Sequence, residues 1–262
     1  MYSYFKLSFL YLKYLIKGGN LHSIHSPFVY NLTNQVIYNN SNYYFFSVIE
    51  ELRKSLLANK DYINVLDLGA GSNFGNRNKK RICDIARNTS KSAKYGKLMF
   101  RLCNYFQPIT VLELGTSLGV STSYLSAFNL KSIVYTLEGC PEIANQASSN
   151  FVKLGLKNIN QVIGDFSSTL DSTLQKIESL DFVFFDGNHK YEPTIKYFYA
   201  CLPKLNSKSL LVFDDIHWSS EMEKAWNEIK ENPKVTVTID LFFIGLVFFV
   251  EGREKENYII RY

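Results

Sequence analysis

The chain has 262 residues, of which 46% are hydrophobic and 20% charged, as is usual for a globular protein large enough for one α/β domain with an extension. The net charge of +5 is mild and no dense Lys/Arg block occurs, so no nucleic-acid partner is indicated. The four cysteines, Cys83, Cys103, Cys140 and Cys201, lack CxxC spacing. That pattern disfavours a zinc site and suits a reducing, cytoplasmic compartment.

Residues 2–17 are predicted to form a helix that ends at Gly18-Gly19. Its few polar residues lie near one narrow stripe, and the remaining surface is apolar or aromatic. Lys13 interrupts the apolar run, which disfavours a signal peptide, and the segment is too short and too charged for a membrane span. Three interpretations stay open, namely a helix packed on its own domain, a membrane-surface helix, and a docking or dimer helix.

Two more helices are predicted in the first sixty residues. Ser26 and Pro27 are suited to the N-cap and first turn of a helix that continues through Ile37. A further helix spans about Tyr44 to Ala58. These elements predict an N-terminal, mainly helical extension over residues 1–90.

Residues 63–72 suggest a strand followed by a glycine turn, Ile-Asn-Val-Leu-Asp-Leu-Gly-Ala-Gly-Ser. By motif alone this is a strong candidate for a ligand-binding corner. The sequence that follows is polar and basic, however, and no strand is predicted before Val111, so the required crossover is missing. Residues 63–71 are therefore assigned to the extension, as a strand or loop near the mouth of the site. The basic run Arg77–Arg81 is interpreted as a solvated loop or a helix start.

The rest of the chain alternates between strands and helices. A helix over residues 92–106 leads into the pattern. The predicted strands are Thr110–Leu114, Ser132–Leu137, Ile159–Ile163, Leu180–Phe185 and Ser209–Phe213, and the predicted helices are Ser121–Asn129, Pro141–Leu154, Ser167–Ile177, Glu192–Leu202 and Ser219–Lys230. Two late apolar runs, Val235–Phe243 and Leu246–Val250, predict a closing hairpin. The sequence thus predicts an α/β domain over residues 91–262. Its doubly wound sheet has seven strands, of which five are parallel and the last two form a terminal antiparallel hairpin.

Polar residues follow the predicted strands at their carboxyl ends, where open α/β sheets bind ligands. These candidates are Glu113, Thr116, Ser117, Glu138, Asp165, Asp186, His189, Asp214, Asp215 and His217. An acid at five consecutive strand ends fits a ligand site better than a purely structural arrangement.

The stretch Val111–Thr122 has the pattern of a ligand-binding corner. An apolar strand ends in a carboxylate, a glycine turn follows, and small hydroxyl residues open a helix whose N–H groups are available. Glu138 lies 23 residues beyond Gly115, at the end of the next strand, where it could accept hydrogen bonds from two ribose hydroxyls. The alternative is an acid that caps the next helix. The GxGxxG spacing is absent, which disfavours NAD or FAD.

From about Ala93 to Val250, the chain resembles class I S-adenosylmethionine-dependent methyltransferases, and within them the catechol-type O-methyltransferases and their bacterial relatives. The motifs that carry the resemblance are Lys94–Met99, Val111–Thr122, Tyr135–Glu138, Gly164–Phe166, Phe184–Glu192 and Leu211–Asp215. The resemblance implies a Rossmann-like sheet that binds S-adenosylmethionine.

The resemblance also implies roles for individual residues. Glu113 and the backbone of Gly115–Ser117 would hold the methionine part, Glu138 the ribose, and Asp165 with Phe166 the adenine, and Asp186 would lie below the methyl group. The implied cofactor-binding set is Glu113, Gly115, Thr116, Ser117, Ser121, Glu138, Gly139, Asp165, Phe166 and Asp186.

The metal-dependent members of the family bind a divalent cation, and the matching positions here are Asp186, Asp214 and Asp215. Three carboxylates with few basic neighbours would repel one another, so Mg²⁺ or another divalent cation is physically reasonable. The predicted catalytic residues are Asp186, Asp214, His189 and His217. Either histidine could take a proton from an acceptor hydroxyl, or could instead bind an acid and order a loop.

The sequence therefore predicts a cytoplasmic, S-adenosylmethionine-dependent methyltransferase that methylates a hydroxyl of a small molecule or of a glycan or lipid intermediate. One alternative is a non-catalytic protein of this fold that binds a membrane or a protein through its N-terminal helix. Another is a nicotinamide oxidoreductase. Peripheral membrane contact or homodimer formation through residues 2–17 stays open.

Overall fold

The computed structural model describes residues 2–66, 77–89 and 92–262. The chain divides into two units. The terminal unit comprises Met1–Asn39 and Ser179–Tyr262, and the central unit comprises Asn40–Glu178. The boundary between residues 90 and 91 that the sequence suggests stays a prediction.

The described residues contain ten strands. They are β1 (Tyr62–Leu66), β2 (Arg77–Arg81), β3 (Thr110–Leu114), β4 (Ile133–Glu138), β5 (Ile159–Ile163), β6 (Leu180–Phe185), β7 (Leu205–Asp214), β8 (Val237–Asp240), β9 (Ile244–Phe248) and β10 (Glu256–Ile259). Eight of them form one sheet in the order β10-β8-β9-β7-β6-β3-β4-β5, while β1 and β2 form a separate antiparallel pair. The mostly parallel sheet confirms the predicted α/β fold.

Ten α-helices accompany these strands in the described part of the chain. They are α1 (Tyr4–Lys17), α2 (Pro27–Leu32), α3 (Tyr44–Ala58), α4 (Ile82–Thr89), α5 (Ala93–Phe106), α6 (Val120–Ala127), α7 (Pro141–Lys153), α8 (Phe166–Gln175), α9 (Tyr191–Cys201) and α10 (Ser220–Glu231). A π-helical turn, Thr33–Ile37, continues α2. No helix within these ranges is long and apolar enough to cross a membrane.

In the central unit, β3, β4 and β5 pair in parallel. Residues 111–114 of β3 are all buried, as expected for a parallel strand covered on both faces. One apolar cluster joins residues of α3 and α4, such as Ile49 and Ile85, with residues of α6 and α7, such as Tyr124 and Phe151. Much of the predicted N-terminal extension is therefore part of this core.

The basic run Arg77–Arg81 is a strand, so its prediction as a solvated loop or helix start is wrong, as is the expectation of no strand before Val111. Backbone pairing decides this, because β2 lies antiparallel to β1 with Leu66 opposite Arg77. Its described side chains, at residues 79–81, are exposed. Residues 67–72 of the motif-like stretch lie outside the described residues.

The strand β1 is held by the start of α7. The backbone N–H and side-chain amide of Asn64 donate to Glu142 over 2.7 and 3.0 Å, and the N–H of Leu66 donates to Sγ of Cys140 over 3.2 Å. These contacts anchor the segment that sequence reasoning assigned to the extension.

In the terminal unit, β6 and β7 pair in parallel, and β9 is antiparallel to both β7 and β8. The predicted closing hairpin is thereby confirmed. The sheet has eight strands rather than the predicted seven, because β10 adds to β8 in parallel. Its sequence, Glu-Asn-Tyr-Ile, lacks the long apolar run that marks the other strands.

The helix α1 packs on the terminal unit through one face. The Ser3 side chain caps its start, and Gly18 ends it with an N–H bond to the carbonyl of Tyr14. Tyr14 is buried, and its hydroxyl donates to the carbonyl of Ile260 over 2.6 Å. The rings of Tyr11 and Tyr14 both contact Phe242.

Gly96 in α5 allows the ring of Tyr124 in α6 to pack against the helix. A Cβ at this position would lie 2.4 Å from Cε2 of that ring. In most helices Gly→Ala is stabilising by about 1 kcal/mol. Here we expect Gly96→Ala to lower the free energy of unfolding by about 1–3 kcal/mol, because the buried ring must shift.

Urea unfolding checks this prediction. The same substitution in a Tyr124→Leu background is the matched control, because the shorter side chain leaves room for the methyl group. Equal destabilisation in both backgrounds would contradict the steric explanation.

Candidate functional site

The corner after β3 is a tight glycine turn. Gly115 has φ +110°, Ser117 has φ +48° and Gly119 has φ +81°, so the backbone passes three times through conformations that favour glycine. The N–H groups of Gly115 and Thr116 both donate to the carbonyl of Leu137, over 3.0 and 3.1 Å. These bonds tie the corner to β4 and set the start of α6.

Glu113 is the penultimate residue of β3 and is completely buried. Its Oε2 accepts hydrogen bonds from the hydroxyls of Thr122 and Thr136, over 2.5 and 2.6 Å. Its Oε1 is equally buried and makes no hydrogen bond of standard geometry among the residues that the structure describes, although the Ser121 hydroxyl also interacts with the carboxylate. Burial raises the pKa of Glu113 to about 7, although neighbouring hydroxyls oppose the shift. A buried acceptor without a donor is rare in proteins and fits a site for a ligand's donor group.

Glu138 ends β4 and connects the corner to the next helix. It accepts the N–H of Ser117 over 2.8 Å and the N–H of Cys140, at the start of α7, over 2.9 Å. Cys140 is itself the N-cap residue of α7 and no described side chain caps the first turn of that helix, so this bond is not the capping contact that the sequence left as the alternative. Burial raises the pKa of Glu138 despite these amides. A carboxylate has about four acceptor positions, so further hydrogen bonds to a ligand remain available.

The end of β5 meets the end of β4. The N–H of Gly164 donates to the carbonyl of Glu138 over 2.9 Å, which places Asp165 and Phe166 in the next two positions. The Asp165 side chain accepts the N–H of Ser167 over 2.8 Å and thereby caps α8. Hydrogen bonds in the central unit thus bring together Glu113, Thr116, Ser117, Glu138 and Gly164. Ser121 also interacts with Glu113 through its hydroxyl and Gly139 with Glu138 through its N–H, whereas Asp165 and Phe166 are placed by their positions in the chain.

Sequence reasoning did not select three threonines that support this corner. Thr122 and Thr136 hold Glu113, and Thr136 also shares a 2.6 Å hydrogen bond with Thr116. Thr136 precedes Glu138 by two residues, and this strand spacing could have identified it. The hydroxyl of Thr89, at the end of α4, lies 2.6 Å from that of Ser117, and no sequence signal predicts that contact.

In the terminal unit, Asp186 follows β6 and Asp214 is the last residue of β7. Potential ligand atoms of Asp186, His189 and Asp214 all lie within 4.8 Å of one another. Nε2 of His189 is 3.7 Å from Oδ1 of Asp186, and Asp214 is buried. Two carboxylates and an imidazole can hold a divalent cation, although acidic groups often cluster without one.

Asp215 is not part of this group, so the structure brings together two of the three predicted metal ligands and adds a histidine. Asp215 has φ +54°, and its N–H donates to the carbonyl of Phe243 over 2.7 Å. Its role as a metal ligand stays a prediction.

His217 is held between two carboxylates. Its Nε2 lies 2.7 Å from Asp240 and its Nδ1 lies 3.4 Å from Glu223, and its ring stacks on Phe242. Burial alone would lower the pKa of His217, but the contacts with Asp240 and Glu223 outweigh it and raise the pKa. These contacts are the kind expected of a histidine that binds acids and orders its loop, and the catalytic role of His217 stays a prediction.

Comparisons with known proteins agree with this geometry. Residues 112–216 match a family model described as a methyltransferase domain. The protein-L-isoaspartate O-methyltransferase of Pyrococcus abyssi is 31% identical over 70 residues, which are 27% of this chain and 32% of that protein. The chain spans less than two fifths of the length of the curated relatives it matches.

Two solved structures show the same fold. The O-methyltransferase TomG from Streptomyces achromogenes, involved in tomaymycin synthesis and solved with S-adenosylmethionine, has 20% identity and a TM-score of 0.53 over 62% of this chain and 82% of TomG. An O-methyltransferase from Bacillus cereus in complex with S-adenosylhomocysteine has 17% identity and a TM-score of 0.57, over 83% of this chain and 94% of that one.

These likenesses confirm the resemblance found in the sequence. Residues 112–216 match the methyltransferase-domain model, and the fold is the one found in these solved O-methyltransferase structures. At these identities the solved structures establish the fold alone.

Proposed function

We propose that the protein is an S-adenosylmethionine-dependent methyltransferase that methylates a hydroxyl oxygen. The observation that carries the proposal is the buried Oε1 of Glu113, an acceptor without a donor at the glycine corner of a methyltransferase domain. A methionine ammonium group supplies the donor and the positive charge that this oxygen lacks.

The central unit also has groups that can bind the remaining parts of S-adenosylmethionine. The backbone of Gly115–Ser117 borders the methionine part, and Glu138 accepts the ribose hydroxyls with the lone pairs that Ser117 and Cys140 leave open. Asp165 and Phe166 follow β5 and border the adenine. TomG and the Bacillus cereus enzyme, solved with S-adenosylmethionine and S-adenosylhomocysteine, support this assignment.

S-adenosylmethionine supplies a methyl group that is already activated by its sulfonium. The chain's own residues must therefore align the acceptor oxygen and exclude water, which accounts for much of the rate in such reactions. In our proposal Asp186 and Asp214 orient the acceptor hydroxyl, and His189 receives its proton at Nε2. His217 contributes by ordering the loop after β7.

We further propose that this site binds a divalent cation. Asp186 and Asp214 would hold it, with Asp215 or His189 as the third ligand, and it would bind the acceptor oxygen and make its proton more acidic. If His189 is the third ligand, it does not also receive that proton. The grouping of Asp186, His189 and Asp214 within 4.8 Å is the structural observation that fits such an ion.

The acceptor we propose is a small molecule or a glycan or lipid intermediate that carries a hydroxyl. The relative that modifies isoaspartate shares only a 70-residue segment with this chain, so it gives little support for a protein acceptor. The four cysteines are free thiols, which supports a reducing, cytoplasmic location. A homodimer or a membrane contact through α1 is compatible with this function.

The first test is binding of S-adenosylmethionine by isothermal titration calorimetry. We expect the wild-type chain to bind, and Glu138→Gln to weaken binding by about 10- to 100-fold, because hydrogen bonds to a charged acceptor contribute about 1.5–3 kcal/mol. Glu142→Gln is the matched control, because Glu142 is also an acid beside the start of α7 but binds Asn64 of β1.

Failure of the wild-type chain to bind, or equal binding by Glu138→Gln, would contradict the proposed site. Binding of NAD instead would favour a nicotinamide oxidoreductase. A methyl-transfer screen over hydroxyl compounds, with an isoaspartyl peptide as a separate acceptor, then distinguishes the acceptor classes.

The raised pKa of Glu113 predicts a pH dependence. Its pKa is about 7 without ligand, so a cationic amine that binds Oε1 must displace a proton at low pH. Affinity should rise about tenfold between about pH 6 and pH 8, with release of up to about one proton at the lower pH.

Calorimetry in buffers of different ionisation enthalpy measures that proton. Glu113→Gln should remove both the pH dependence and the proton release, whereas Glu142→Gln should keep them. A wild-type affinity independent of pH would show that the ligand's amine does not bind Glu113.

The metal proposal predicts binding of Mn²⁺ to the isolated protein, measured by the loss of the free-ion electron paramagnetic resonance signal. Asp214→Asn should weaken binding by about tenfold or more, because a neutral amide is a poorer ligand for a hard cation. The exposed Asp171→Asn in α8 is the control.

Comparison of His189→Ala with Asp215→Asn identifies the third ligand, because only the variant that removes a ligand loses affinity. No saturable Mn²⁺ binding, together with methyl transfer that survives EDTA, would exclude a functional cation.

A further inference from the structure

The face of α1 that points away from its own unit carries a continuous apolar stripe. Phe5, Phe9, Leu12 and Ile16 are spaced by four, three and four residues, which places them on one side of the helix. Their exposed fractions are 90, 64, 56 and 74%. Single exposed apolar residues are common, but four in line on one helix need an explanation.

The stripe takes little part in the packing of α1 on the terminal unit. α1 packs through the opposite side, where Tyr14 is buried and binds the carbonyl of Ile260. Exposed side chains contribute little to that contact, so the stripe is available to a surface outside the described chain.

A line of lysines runs beside the stripe. Lys6, Lys13 and Lys17 are exposed, and each follows a stripe residue by one position, so the line lies about 100° around the helix from the stripe. α1 contains no acidic residue. A helix with an aromatic and aliphatic face, bordered on one side by lysines and carrying no acidic residue, has the chemistry of an interfacial membrane helix.

A second copy of α1 is a poorer fit for this surface. Two such helices would pair their stripes, but neither has an acid to meet the lysines of the other, so the pairing lacks the complementary charges of paired helices. An anionic lipid surface supplies the negative charge, and its acyl region accepts the phenylalanine rings.

We propose that α1 binds the protein to anionic lipid surfaces, with Phe5, Phe9, Leu12 and Ile16 in the acyl boundary and the three lysines at the phosphates. The aliphatic stems of the lysines reach from the helix to the headgroups. This function does not depend on methyl transfer and is tested without it.

The test is flotation of the full chain with lipid vesicles. We expect it to float with vesicles of phosphatidylcholine and phosphatidylglycerol. Binding to vesicles of phosphatidylcholine alone should be weaker by at least about tenfold and up to about a hundredfold, because each of the three lysines near an anionic surface contributes about a fivefold gain in affinity. Added salt should weaken binding to the anionic vesicles.

Two sets of variants separate the apolar and the charged contributions. The double variant Phe5→Ser, Phe9→Ser should reduce binding by about tenfold or more, because it removes two large apolar side chains from the interface. Its control is Val152→Ser with Ile109→Ser, two comparably exposed apolar residues of the central unit. Replacement of Lys6, Lys13 and Lys17 by Gln should reduce binding to a similar extent, whereas Gln at Lys131, Lys153 and Lys157, which are also exposed, should not.

Several results would overturn the proposal. These are no flotation with anionic vesicles, flotation that the Phe5/Phe9 variant retains, and equal binding to neutral vesicles. A dimer by light scattering that becomes monomeric in the Phe5/Phe9 variant, with no vesicle binding, would show that a second copy covers the stripe. Unchanged far-ultraviolet circular dichroism shows that the variants are folded.

Discussion

The arrangement of the cofactor corner depends on the burial of one carboxylate. Glu113 stands in a strand whose neighbouring residues are buried and apolar, where an ionised and unsatisfied carboxylate would cost several kcal/mol. Two features reduce that cost, namely the hydroxyls of Thr122 and Thr136 and a pKa raised towards neutrality. Because Thr122 belongs to α6 and Thr136 to β4, the interaction also fixes the helix after the corner against the adjacent strand. The remaining oxygen is the basis of the proposed function.

Glu138 and His217 show why a structural contact does not decide a role by itself. Each residue had a functional and a structural interpretation, and each makes structural hydrogen bonds, although Glu138 bonds the N-cap residue Cys140 and does not cap the first turn of α7. The carboxylate of Glu138 keeps acceptor positions for a ligand after it has bound two amides. The imidazole of His217 has only two nitrogens, and each faces a carboxylate. Glu138 can therefore accept a ligand without losing its structural bonds, whereas a catalytic His217 would have to exchange one of its two contacts.

The sequence predicted most of the fold between α5 and β9, because buried parallel strands are long apolar runs and glycine or proline marks their ends. It failed where strands are polar. β2 is formed almost entirely of basic residues, and β10 lies at the sheet edge with a single continuous apolar pair, Tyr258-Ile259. Both segments are strands because they pair with neighbouring strands through the backbone. The pattern of side chains in a sequence does not reveal such pairing. α4 was missed because eight residues make a short pattern.

The sequence by itself determined the order of the strands and helices, the class of the fold and the acids at the strand ends, since these follow from local periodicity and turn chemistry. Only the tertiary structure decided which of those acids have partners. The orphaned oxygen of Glu113, the two amides on Glu138, the carboxylates around His217 and the outward stripe of α1 all depend on residues distant in the chain. Local pattern places a side chain on a face, whereas hydrogen bonding and burial depend on what that face meets.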